Sequence, residues 1–142
     1  MKTTTYSFAD VSFVFSHPAV GTITITGEGV GTITITRAND VTQHDLAADG
    51  SVMVSKIIAK NGAAAIAIQQ TSAAHKFLKR WYDYLEVAPT DEWARASAIL
   101  KNPHLGETIN MAGISPQKRA DAAYQQNGQQ VTWNLMAAEI DG

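Results

Sequence analysis

Cysteine is missing altogether, charge is scarce and no apolar run is long. Without cysteine, the 142-residue chain has no disulfide framework and no thiol nucleophile. That fits a reducing compartment, and the polar start MKTTTYSFADVSF has no signal-peptide character, so a cytoplasmic origin is expected. No stretch approaches 18 consecutive apolar residues, and no membrane-spanning helix is expected. Charged residues make up 17%, against an ordinary figure of roughly 25%. The net charge of -2 lacks the basic excess of a duplex-binding protein. Hydrophobic residues stand at 45%, enough for one domain spanning residues 1–142 to bury a core.

Catalytic and metal-binding patterns are equally thin. The four histidines, His17, His44, His75 and His104, show neither HxH nor HxxxH spacing. Asp40, Asp45 and Asp49 do not follow the calcium-loop pattern, and Asp49-Gly50 reads as a turn. The chain has no GxSxG elbow. The glycines of GEGVG sit between two strand-like segments, without the helix N-terminus that holds phosphate in a nucleotide loop. No cofactor, no metal and no enzymatic activity are expected.

What the chain does have is a duplication, GTITITGEGVGTITIT over residues 21–36. Strict alternation puts Ile23, Ile25, Ile33 and Ile35 on one face of their strands and the threonines Thr22, Thr24, Thr26, Thr32, Thr34 and Thr36 on the other. Paired as a hairpin, Ile23 faces Ile35 and Ile25 faces Ile33, with the turn inside Gly27–Gly31. Further strands are predicted in residues 6–15, in SVMVSKIIA and AAAIAIQQ around Asn61-Gly62, and in the segments around Asn127-Gly128. RANDVTQHDLAADG between them reads as a long polar loop. Ala74, Phe77, Leu78, Trp81 and Leu85 recur at helical spacing, with Thr71 or Ser72 as the cap and Pro89 as the stop. Residues 90–102 carry both a helix-start signal and an alternating pattern, and a strand is favoured. The fold expected is mainly β, a sandwich or barrel of antiparallel strands with one packed α-helix.

Low-charge strands of high β-propensity, with no proline or lysine to blunt them, are templates for pairing with another chain. Thr22, Ile23, Thr24, Ile25, Thr32, Ile33, Thr34 and Ile35 are therefore candidate subunit-interface residues. A head-to-tail contact that closes makes a ring. The simpler alternative is that the repeat lies inside a sandwich.

Several stretches resemble one family. TYSFADVSFVF is similar to its first strand. AADGSVMVSKIIAKNGAAAIAIQQTSAAHKFLKRWY is similar to its middle, and YQQNGQQVTWNLMAAEIDG to its closing hairpin. Together they cover most of the chain and resemble the tail tube proteins of long-tailed bacteriophages, especially the small tube proteins of contractile-tailed phages. The GTITIT repeat is not part of that resemblance. The resemblance implies a virion tail protein whose copies form hexameric rings, stacked into a hollow tube through which DNA passes without specific binding. It also implies sheath, tape measure and baseplate proteins as partners. On this reading Asp45 and Asp49, with Asp40, are candidates for ring-to-ring contacts or the lumen. Lys76, Lys79, Arg80 and Glu86, with Asp83, are candidates to face a sheath. Two other readings fit the composition: a monomeric or dimeric carbohydrate-type β-sandwich using Trp93 or Tyr124, and another virion protein such as a connector.

Overall fold

The computed structural model describes residues 1–26 and 29–142. Its strands are β1 (Ser12–His17), β2 (Gly21–Thr26), β3 (Val30–Arg37), β4 (Thr42–Leu46), β5 (Val52–Lys56), β6 (Gly62–Gln69), β7 (Ala96–Asn102), β8 (Glu107–Pro116) and β9 (Gln130–Asp141). One helix, α1 (Ala73–Val87), lies between β6 and β7. Seven strands form one antiparallel sheet in the order β2-β1-β7-β8-β9-β6-β3, curled into a half-barrel, while β4 and β5 form a separate two-stranded ribbon.

Alternation decides which side of the sheet is dry. Phe13 and Phe15 of β1, Ala64, Ile66 and Ile68 of β6, and Val131, Trp133 and Leu135 of β9 all turn to the buried face. There they meet the stripe Ala74, Phe77, Leu78, Trp81 and Leu85 of α1. Trp81 is fully buried and stands edge-on to Phe15, with ring centroids 4.8 Å apart. The helix starts where Ser72 accepts a hydrogen bond from the His75 amide at 3.2 Å, and Pro89 follows its end.

The two copies of GTITIT do not form a hairpin. One is β2 and the other β3, and they occupy opposite edges of the seven-stranded sheet. Each has its own apolar partner strand: Ile25 and Ile23 lie opposite Phe13 and Phe15, while Ile33 and Ile35 lie opposite Ile66 and Ala64. The period of two sets which face is buried but not which neighbour supplies the pairing. The division of faces matches the expectation, since the threonines of both copies are exposed and Ile25 is buried. Thr26 and Val30 belong to diagonally opposite corners of the sheet. Four residue steps span at most ~14 Å, so the sheet must coil until these corners meet. Of the expected turn, Gly27 and Glu28 lie outside the described residues, Gly29 has φ 73°, and Gly31 is already in β3.

Neither Asn-Gly pair forms the turn of a hairpin between its flanking segments. β5 pairs with β4, not β6, and Gly62 is the first residue of β6. A Cβ there would collide with the Thr36 carbonyl and Ile140, so close backbone approach accounts for the glycine. Asn127-Gly128 lies in the connection 117–129 that leads from β8 to β9, so the closing hairpin pairs β9 with residues 107–116 rather than with 120–126. The expected polar loop at 37–50 contains β4, and residues 8–10 and 90–92 are short 3-10 turns ahead of β1 and β7.

Candidate assembly surfaces

Three surfaces stand out, beginning with the open edges. β2 and β3 each have one paired neighbour and one free side. Along these edges only Arg37, at the far end of β3, is charged among the described residues. Edge strands of soluble proteins usually carry lysine, proline or a protective bulge, and of these only a register irregularity between Val30 and Thr32 of β3 is present. Thr22, Thr24, Thr32 and Thr34 are exposed, Ile23, Ile33 and Ile35 are half-buried, and Ile25 is core.

The solvent face of the sheet is the second surface. It presents the β2 and β3 threonines, Ala63, Ala65 and Ala67 of β6, and Thr132 and Asn134 of β9. Its charges, Lys101, Glu139 and Asp141, gather toward one end, where Glu139 sits opposite Ala112 and Asp141 opposite Asn110. The rest of that wall is uncharged, and among its small side chains Val14, Ile99 and Met136 are the large apolar ones.

The ribbon β4–β5 is the third. Leu46 pairs with Val52 and His44 with Val54, which puts three aliphatic side chains on one face of an element exposed on both sides. Leu46, Val52 and Val54 are 73%, 50% and 60% exposed. A lone two-stranded ribbon is at best marginally stable in water, so this one calls for a cover. At its tip, Ser51 donates to Asp49 from its hydroxyl at 2.6 Å and from its amide at 3.0 Å. These bonds hold the Asp49 carboxyl below its ordinary value. Asp49 is thus a turn-former, and Asp45 lies on the face opposite Leu46. His44 is exposed on β4, and no cluster of metal-binding side chains occurs among the described residues.

On α1, Lys76, Arg80, Asp83 and Glu86 are exposed and Lys79 is half-buried. Arg80 lies over the Phe77 ring, and Asp83 pairs with Arg119 at 2.7 Å. His75, which belongs to no recognisable sequence motif, accepts a hydrogen bond at Nδ1 from Trp133 Nε1 at 3.1 Å. Burial, then Lys79 and Arg119, push the His75 pKa below its ordinary value of 6.5. The fold therefore favours the neutral ring, and the unfolded chain binds more protons. Stability from this group falls as pH drops through 6.5 and levels off below the depressed value. Thermal melts at pH 7 and pH 5 should show a smaller acid-side loss in His75→Gln than in the parent chain.

Residues 3–142 match the family described as Bacteriophage PhiTE tail tube protein. The chain belongs to this tail tube family. The tube protein is thus a structural component of a phage tail. Similar folds occur in the tube-terminating cap of the anti-feeding prophage, with TM-score 0.60 and 9% identity over 99% of this chain and 91% of that one. The anti-feeding prophage baseplate contains another, with TM-score 0.58 and 10% identity over 99% and 96%. A third is in the sheath-tube complex of an extracellular contractile injection system in its extended state, with TM-score 0.54 and 11% identity over 91% and 86%. Among curated proteins no relative matches the sequence. The tube protein's open edges, bare ribbon and sparsely charged sheet face all suit association between copies. The carbohydrate-type alternative finds no stacking face in Trp93 and Tyr124, since Trp93 packs against the core and only Tyr124 is exposed.

Proposed function

We propose that the chain acts as one domain whose copies close into hexameric rings, and that the rings stack into a hollow tail tube for DNA. The observation that carries this is the open sheet, with two nearly uncharged edges and one sparsely charged face rich in threonine and alanine. The edge residues Thr22–Ile25 and Thr32–Ile35 join neighbours, and burial within the ring removes their aggregation hazard. Because β2 and β3 are different edges, the contact is head-to-tail and closes by rotation. The solvent face of the sheet lines the lumen. A largely uncharged wall, with two acids against one lysine, lets phosphates slide, whereas a basic one would hold them. The ribbon, with Asp45 and Asp49, packs on a neighbouring copy. The protein acts without catalysis or cofactor, is made in the host cytoplasm, and meets tape measure and baseplate proteins at the tube ends.

Sedimentation velocity over a concentration series tests the ring. A shift from monomer to a six-subunit species and larger stacks is expected, and a monomer throughout contradicts the proposal. The face of α1 bearing Lys76, Lys79, Arg80 and Glu86 meets a surrounding sheath. Lys79→Glu combined with Arg80→Glu should leave tube formation intact and weaken sheath binding in co-sedimentation. Loss of the tube itself would contradict that assignment.

A further inference from the structure

Beside the helix face lies a groove of about 440 Å³. One wall is the first half of α1, with His75, Lys76 and Lys79; the other is the 119–124 segment, with Arg119, Asp121 and Tyr124. The segment is strapped to the body at several points. Arg119 pairs with Asp83 and lies 5.7 Å over the Tyr82 ring, and Gln70 donates to the Ala123 carbonyl. Gln129 in turn donates its amide to the Gln70 side chain at 3.1 Å. Lys76 and Lys79 have no carboxylate within 4.0 Å among the described residues. A chain with net charge -2 thus holds two unneutralised ammonium groups in a concave site beside a tethered guanidinium.

We propose that this groove is a docking site for an acidic, extended segment of a partner protein, with its carboxylates on Lys76 and Lys79. This deepens the sheath-facing reading of α1 and rests on it. Carboxylate fits better than nucleic-acid phosphate, for two reasons. The cations are few and confined to a pocket rather than laid out as a stripe. Tyr124, with Ala120 beside it, offers apolar and aromatic surface to the side chains between the acids.

A built-in reporter is available, because the Trp133 indole N–H bonded to His75 lies at the floor of the groove. The probe is hexaglutamate, titrated into the full chain at low salt and followed by proton–nitrogen NMR. Expected results are a Kd below ~1 mM, a moving Trp133 indole signal, and binding weakened at least ~10-fold by Lys76→Gln with Lys79→Gln or by 0.5 M salt. Shifts confined to other surfaces, or binding indifferent to the double variant, would overturn the proposal. Equal binding of ten-residue oligothymidylate would overturn it too, by making the groove a general anion patch. Sedimentation of the same sample reads ring formation separately, so loss of the groove and loss of the tube reading are distinguishable.

Discussion

Trp81→Ala lowers the unfolding free energy by about 3–5 kcal/mol, the range for removing a large buried aromatic from a core. Trp81 is fully buried at the centre of α1 and joins the helix to the sheet through Phe15 and its neighbours Phe77 and Leu78. Truncation leaves a void bounded by a helix and a curled sheet, and neither collapses easily around it. Small domains hold only about 5–15 kcal/mol in total, so the variant sits near its unfolding threshold. Trp81 also carries the one buried side-chain N–H without a partner among the described residues. Trp81→Phe removes that unsatisfied donor along with some volume, and should cost clearly less than Trp81→Ala. Urea unfolding of the three proteins checks the order; equal losses in both variants would contradict it.

The second large effect concerns assembly rather than stability. The triple variant Leu46→Ser, Val52→Ser, Val54→Ser should fold with a midpoint close to the parent's and fail to form tubes. All three side chains are on the same face of the β4–β5 ribbon and exposed in the single chain, so little of the monomer's packing is lost. Buried against a neighbour, each contributes about 1.5–3 kcal/mol, and the loss repeats at every subunit contact. Several kcal/mol per contact shifts association by more than about a hundredfold. Thermal melting reads the first half of this expectation and pelleting of assembled tubes the second. Tubes forming at the parent's concentration would show that the ribbon face is not buried between copies.

Legibility in the sequence varies with the range of the interaction. The helix is readable nearly residue by residue, because its buried stripe, its Ser72 cap and its Pro89 stop are local features. Alternation likewise reveals the inward isoleucines and outward threonines of β2 and β3. Pairing is less accessible, since β3 finds β6 across about thirty residues and β9 inserts between β6 and β8. Nothing in a strand of alternating Ile and Thr says whether its partner is the next strand or one far along the chain. Asn61-Gly62 has the look of a turn because turns and tight packing share glycine, and only the approach of Thr36 and Ile140 separates them. β4 escapes a sequence reading because it has neither a buried face nor the apolar run, VMV, that marks its equally exposed partner β5. The groove beside α1 is half visible. Lys76 and Lys79 stand out on the helix, while Arg119 and His75 join them only through the tertiary fold.

Electron microscopy of the purified chain, averaged with rotational symmetry across a concentration series and with isolated tail fragments added as nuclei, tests the central claim most directly. Hollow tubes of uniform diameter, with six subunits per ring and the threonine-bearing face of the sheet inside, are the predicted result. Single chains at every concentration, with or without nuclei, would contradict it, as would tubes whose lumen is lined by α1.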